Sequence, residues 1–172
     1  MTLRLKERGM VAIGASVSSG CKPCTDYHVK AARTVALTND ELRQTIDDAM
    51  SVRQNALNVM KAHGLSHLGE TDEADGGRND EPTTRIRELV SIAAAFAVNC
   101  TTNLDKHLGS AEALGISDKD IRDVIKLAAF IKDEAASRVE NMVAPEGIGE
   151  QGAYGAPLPK AGAMGSCGCA IG

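Results

Sequence analysis

A shift of 79 residues lays this chain on itself. It sets Cys21 on Cys100 and His28 on His107 without a gap, and pairs Val11 with Val90, Ile13 with Ile92 and Asp26 with Asp105. Further along it pairs Arg43 with Arg122, Ile46 with Ile125 and Ala49 with Ala128. A register held from about Arg8 to Ala56 marks an internal duplication. The fold must then be built from two similar units sharing one core, because 172 residues make one ordinary domain.

Each unit reads as three helices. Ile86, Leu89, Val90, Ala93, Phe96 and Ala97 follow the i, i+3, i+4, i+7 rhythm of a helix with one buried face. The third helix of the first unit begins at "TNDE", with Thr38 as N-cap and Glu41 three residues on, matched by "SDKD" from Ser117. Behind Thr38, the residues Leu42, Ile46, Ala49, Met50, Leu57 and Met60 continue an apolar stripe. No segment alternates with period two. Trp is absent, and Phe and Tyr number two each, so the core relies on Ala, Val, Ile, Leu and Met. Alanine-rich cores suit closely packed helices better than sheets. The expected fold is all-α.

The expected organisation is a first repeat over 1–68, an acidic linker over 69–84, a second repeat over 85–143 and a tail over 144–172. The linker, "GETDEADGGRNDEPTT", combines acidic residues with Gly-Gly and Pro. The tail is rich in Gly, Ala and Pro, which cannot sustain a regular helix, and ends in "GSCGCAIG".

Charge excludes some functions. A net charge of −4 with scattered basic residues, and few aromatics to stack on bases, gives no footprint for nucleic acid. No apolar run approaches the roughly 20 residues that span a bilayer. "MTLRLKERGM" lacks the apolar core of a signal peptide, so a cytoplasmic location is expected. In a reducing compartment the five cysteines point to reactivity or metal binding rather than structural disulfides.

The chemistry concentrates in "CKPCTDYH", Cys21 to His28. With Cys21 at a helix N-cap and Pro23 in the first turn, Cys21, Cys24 and His28 fall within about 60° of one face. A helix N-terminus and a neighbouring imidazole both favour thiolate over thiol. The set supplies a nucleophile, a second thiol and a base, which is what dithiol–disulfide cycling needs. Two other readings stand beside it. A zinc half-site would want a second compact pair, and only Cys100/His107 and Cys167/Cys169 are on offer. Inert core cysteines are the other, since free Cys is often buried.

Cys-x-x-Cys-x-x-x-His on a helix, in a duplicated helical chain of this length, resembles the AhpD-like alkylhydroperoxidases of the carboxymuconolactone decarboxylase superfamily. The resemblance covers both repeats but not the tail. It implies that Cys24 attacks peroxide, Cys21 resolves the product to a disulfide, and His28 accepts the proton. It also implies a trimer or hexamer, a dithiol electron-donor partner, and no haem, flavin or other cofactor. The decarboxylase branch has no evident need for the dithiol. The family's proton relay includes a glutamate twelve residues before the first cysteine. That position is Gly9 before Cys21 and Glu88 before Cys100, so glutamate and dithiol sit in different repeats. Glu88 joins the relay only by reaching across the pseudo-symmetric interface; otherwise the relay is absent and peroxidase activity is weak.

In the second repeat, "CTTNLDKH" has Asn103 where the first has Cys24, which leaves Cys100 and His107 as a decayed copy retained for packing. Cys167 and Cys169 read as a relay to the Cys21–Cys24 disulfide, or as an incidental pair. With Cys21 and Cys24 they alternatively form a thiolate trap for Cu(I), Hg(II) or As(III). His63 and His67 are four apart but interrupted by Gly64, and read as surface or C-capping residues.

Overall fold

The computed structural model describes residues 3–70 and 83–143, and among these there are six helices and no strand. They are α1 (Leu5–Ser18), α2 (Lys22–Thr34), α3 (Asn39–Ser66), α4 (Arg85–Ala97), α5 (Thr101–Ala113) and α6 (Asp118–Val143). The all-α expectation holds. Most of the expected linker and the whole tail, Cys167 and Cys169 included, lie outside the described residues. Thr84, assigned to the linker from sequence, is the N-cap of α4. None of these helices is long and apolar enough to cross a membrane.

The duplication extends to the backbone. Positive φ occurs at Gly20 (73°) and at its counterpart Asn99 (58°), and again at Ala36 (58°) and its counterpart Gly115 (68°). These are the left-handed residues that end α1, α4, α2 and α5 in the manner of αL caps. The Cys21 N–H donates to Ser16 O at 3.2 Å, and the Cys100 N–H to Ala95 O at 3.0 Å. Arg53 on α3 donates to the α1 carbonyls of Val17 and Ser18, at 3.1 and 3.0 Å. Its counterpart Lys132 on α6 donates to Phe96 O of α4 and to Asn99 Oδ1. Each first helix thus has its C-terminal carbonyls met by a cation from the third helix of its own repeat. The capping box foreseen at Thr38 forms, with Glu41 N 3.2 Å from Thr38 Oγ1 and Thr38 N 2.7 Å from Glu41 Oε2.

The two repeats share their cores by exchange. One cluster joins Met10 and Ile13 of α1 to Leu42, Ala49 and Val52 of α3, and is completed by Val90, Ala94 and Ala95 of α4. The other joins Leu89 and Ile92 of α4 to Val124, Leu127 and Ile131 of α6, and is completed by Val11, Ala12 and Ala15 of α1. Helices α1 and α4 therefore cross at the centre. Sequence periodicity gave α4 one buried face, but every residue from Glu88 to Ala95 is buried. The reason is that α1 packs on one side while α3, α5 and α6 close the others. The small side chains of "SIAAAFA" permit that approach from all directions.

The stripe along α3 is a second correction. Leu42 and Ala49 are buried, but Met50, Leu57 and Met60 are 47%, 59% and 63% exposed. Met50 lies mid-helix between buried Ala49 and Val52 and so faces away from the core, while Leu57 and Met60 belong to the second half of a 28-residue helix about 42 Å long, which has no buried residue after Ala56.

Gly14 marks the closest approach of the central pair. A Cβ there would sit 2.9 Å from Val90 Cγ1 and 3.3 Å from Val90 O, whereas a Cβ on Gly64 meets nothing within 4 Å. Gly14→Ala is expected to lose about 1–3 kcal/mol to overpacking, partly offset by about 1 kcal/mol of helix propensity. Gly64→Ala is expected to gain up to about 1 kcal/mol. Urea denaturation of both variants checks this, and equal gains would show that α1 and α4 are not in tight contact.

Candidate active site

Cys21 is the N-cap of α2, with extended φ and ψ of −86° and 96°. Its sulfur accepts from the Cys24 N–H at 3.2 Å, the bond that a side-chain oxygen makes at an ordinary N-cap. Pro23 lies in the first turn, where its missing N–H costs nothing. The two sulfurs therefore sit where the helix dipole is positive, and they are joined in a disulfide with Cα atoms 5.2 Å apart.

A helix of the other repeat covers the pair. Cys21 and Cys24 pack with Ala135 of α6, and Cys24 is wholly buried while Cys21 keeps 7% of its surface. One turn after Cys24, His28 is 3% exposed, and its Nε2 has no hydrogen-bond partner among the described residues. Burial lowers its pKa from 6.5 to about 4, so at neutral pH it is an uncharged base. Loss of a proton from Cys24 would give the imidazolium a counter-charge that the disulfide form lacks.

Glu88 is not part of this group. Its Oε2 lies 2.8 Å from His107 Nδ1, and its Oε1 accepts from Thr83 Oγ1. Burial would raise this carboxyl, but the hydrogen bonds from His107 and Thr83, with the nearby Arg87 charge, bring it below its ordinary value. The reason for the separation is topological: α4 packs along α5 of its own repeat, whereas α2 packs on α1 and α6. In the first repeat the matching space is taken, since a Cβ on Gly9 would stand 3.1 Å from Leu37 Cδ1. The relay expected from sequence is thus split, with thiols and one histidine in the first repeat and carboxylate and the other histidine in the second. The twelve-residue spacing of Glu88 before Cys100 was the signal, and it pointed to His107 rather than His28.

The second repeat has its own geometry. Asn103, in the place of Cys24, is 3% exposed and donates to Val52 O of α3 at 3.0 Å. Cys100 is a buried free thiol. Helices α3, α4 and α5 enclose a cleft of about 260 Å³ lined by Asp48, Arg87, Glu88, Asn103, Lys106 and His107 among others. Arg87 Nε meets Asp48 Oδ1 at 3.2 Å across it. No sequence pattern singled out Asp48 or Arg87. His63 and His67 stack edge to face at 4.9 Å near the end of α3, and no group of three or more His, Cys, Asp or Glu is placed to hold a metal among the described residues.

A family model described as the carboxymuconolactone decarboxylase family matches residues 2–62 and 68–141. No curated protein matches the chain.

The buried imidazole has a consequence for stability. Below about pH 6.5 the unfolded chain takes up a proton that folded His28 refuses until about pH 4. This group therefore adds nothing to pH dependence above 6.5 and lowers stability progressively as pH falls from there towards 4. The full difference corresponds to roughly 3 kcal/mol. Urea denaturation of the oxidised protein at pH 7 and pH 4.5 is expected to show a larger loss for wild type than for His28→Asn. Equal losses would mean that His28 titrates normally in the folded chain.

Proposed function

We propose, from the premise that this chain belongs to the carboxymuconolactone decarboxylase family, that it is a thiol-dependent peroxidase or thiol–disulfide oxidoreductase. The observation that carries the reading is the Cys21–Cys24 pair at the N-terminus of α2, joined at disulfide distance with a neutral buried histidine one turn on. In the reducing half of the cycle a donor thiolate attacks Cys21, the less buried sulfur, and releases Cys24 as the leaving group. A second donor thiolate resolves the mixed disulfide and frees Cys21. In the oxidising half His28 takes the Cys24 proton, and the thiolate attacks the near peroxide oxygen. Cleavage of the O–O bond leaves Cys24 as a sulfenic acid and expels alkoxide or hydroxide, which takes the proton back. The Cys21 thiol then attacks the sulfenic acid sulfur, restoring the disulfide, and the displaced hydroxide leaves as water with the Cys21 proton. No step requires a bound cofactor.

With Glu88 held by His107 and Thr83, His28 works without a carboxylate behind it, which favours slow peroxide turnover and makes disulfide exchange the faster activity. The Cys167–Cys169 pair would carry electrons between a donor and the covered disulfide. Exposed Leu57 and Met60 on α3, with Val139 and Met142 on α6, support assembly into a homo-oligomer.

Peroxide consumption with dithiothreitol as reductant tests the reading. Turnover is expected in wild type, a loss of at least a hundredfold in Cys24→Ser, and a smaller drop in a chain truncated before Ser166. Turnover surviving in Cys24→Ser would sink the thiol mechanism. A wild type that consumes no peroxide and reduces no disulfide, but titrates As(III) or Cu(I) stoichiometrically through its thiols, would replace catalysis with metal capture.

A further inference from the structure

The end of the bundle where α1 and α4 finish holds a groove that the dithiol chemistry does not use. It has a volume of about 460 Å³ and is lined by Arg53, Leu57, Met60, Val98, Asn99 and Cys100 among others. Leu57 and Met60 keep more than half of their surface exposed along it, and contiguous apolar surface of this kind marks a place where something docks. Among the described residues Cys100 is the one cysteine outside the Cys21–Cys24 disulfide. Asn103 stands where a local partner for it would be, at the position matching Cys24.

Position, reach and chemistry together name the occupant. Helix α6 runs the length of α4: Asp120 meets Arg85 at the start of α4, and Lys132 reaches Phe96 O and Asn99 Oδ1 at its far end, beside the groove. It continues for about 16 Å past Lys132 to Val143, so residues 144–172 begin at this same end of the bundle. From Val143 to Cys167 the chain can extend roughly 80 Å, which is ample to turn back onto the groove. Arg53 meets the carbonyl oxygens of Val17 and Ser18 rather than a carboxylate, and the segment from 144 carries Glu146 and Glu150 against Lys160. It also offers Tyr154, Leu158 and Met164 to an apolar wall, and two thiols to a third. Tethering keeps its effective concentration near the millimolar range, so modest contacts fill the groove without a partner protein.

We propose that this groove seats residues 144–172 of the same chain, covering Leu57 and Met60 and bringing Cys167 or Cys169 beside Cys100. The seat is separate from the Cys21–Cys24 disulfide and does not depend on its cycling. Val139 and Met142 on α6 stay available for assembly. Where the dithiol does cycle, the seated segment is the position from which the tail relay sets out.

Disulfide trapping in the full-length chain tests this. Dilute protein is oxidised briefly with diamide, alkylated, and digested without reduction for mass spectrometry. A peptide joining Cys100 to Cys167 or Cys169 is expected, from chains that run as monomers on a non-reducing gel. Leu57→Glu/Met60→Glu is expected to lower its yield at least tenfold, and both side chains are exposed enough for the fold to tolerate the change. Ala136→Glu, at the exposed α6 position matching Leu57, is expected to leave the yield unchanged. A second readout needs no thiol. With the methionine methyl groups labelled with carbon-13, the Met60 signal is expected to move in Tyr154→Ser/Leu158→Ser. No Cys100 link, an equal yield in Leu57→Glu/Met60→Glu, or links formed only between two chains would each overturn the proposal. So would a Met60 signal indifferent to the substitutions at Tyr154 and Leu158. None of these readouts uses peroxide turnover, so a failure here is distinguishable from a failure of the thiol mechanism.

Discussion

The close crossing of α1 and α4 is the contact on which everything else depends. Gly14 leaves room for Val90, and Ala12 and Ala15 of α1 with the run Ala93 to Ala95 of α4 are all buried at this contact, where their small side chains let the backbones approach. Each of these helices completes the apolar cluster of the opposite repeat, so neither half could bury its own hydrophobic surface alone. The linkage is mutual and makes two three-helix units one cooperative body. It also leaves both second helices on the flanks, where each is covered by the third helix of the other repeat.

That exchange of third helices decides what each site is made of. The cysteine pair on α2 is covered by Ala135 of α6, a residue distant in sequence, and is buried. Burial is what holds His28 neutral at pH 7. Over α5 the roof is α3, which brings Asp48 to Arg87 and the Val52 carbonyl to Asn103. One backbone frame, used twice, carries a disulfide at the N-terminus of α2 and a single buried thiol, Cys100, with Asn103 at the N-terminus of α5.

Electrostatics follow the same division. The position in the first repeat that matches Glu88 is Gly9, where an added Cβ would come within 3.1 Å of Leu37 Cδ1. In the second repeat the equivalent carboxylate is buried yet stays ionised, since His107 and Thr83 offset the cost of its burial. A second ionic cluster ties the frame together. Arg85 reaches Glu7 at 2.9 Å and Asp120 at 3.1 Å, joining α1, α4 and α6 at one end of the central crossing.

Much of this is legible in the residues. The 79-residue register, the cap at Thr38 and the cysteine–histidine spacing act through bonds and periods of a few residues, so local rules are enough to read them. The helix count, the N-cap position of Cys21 and the shared face of Cys24 and His28 follow from them. Packing partners do not. Sequence periodicity could not tell that α4 is enclosed on every side, that α3 buries nothing after Ala56, or that Glu88 belongs to His107. Those outcomes depend on which helix lies across which, and that is set by shape at the α1–α4 crossing rather than by any run of residues. The sequence by itself determined the elements and the chemistry each carries. Only the tertiary structure decided which side chains share a site, because burial and contact between distant segments exist only once the two repeats have closed on each other.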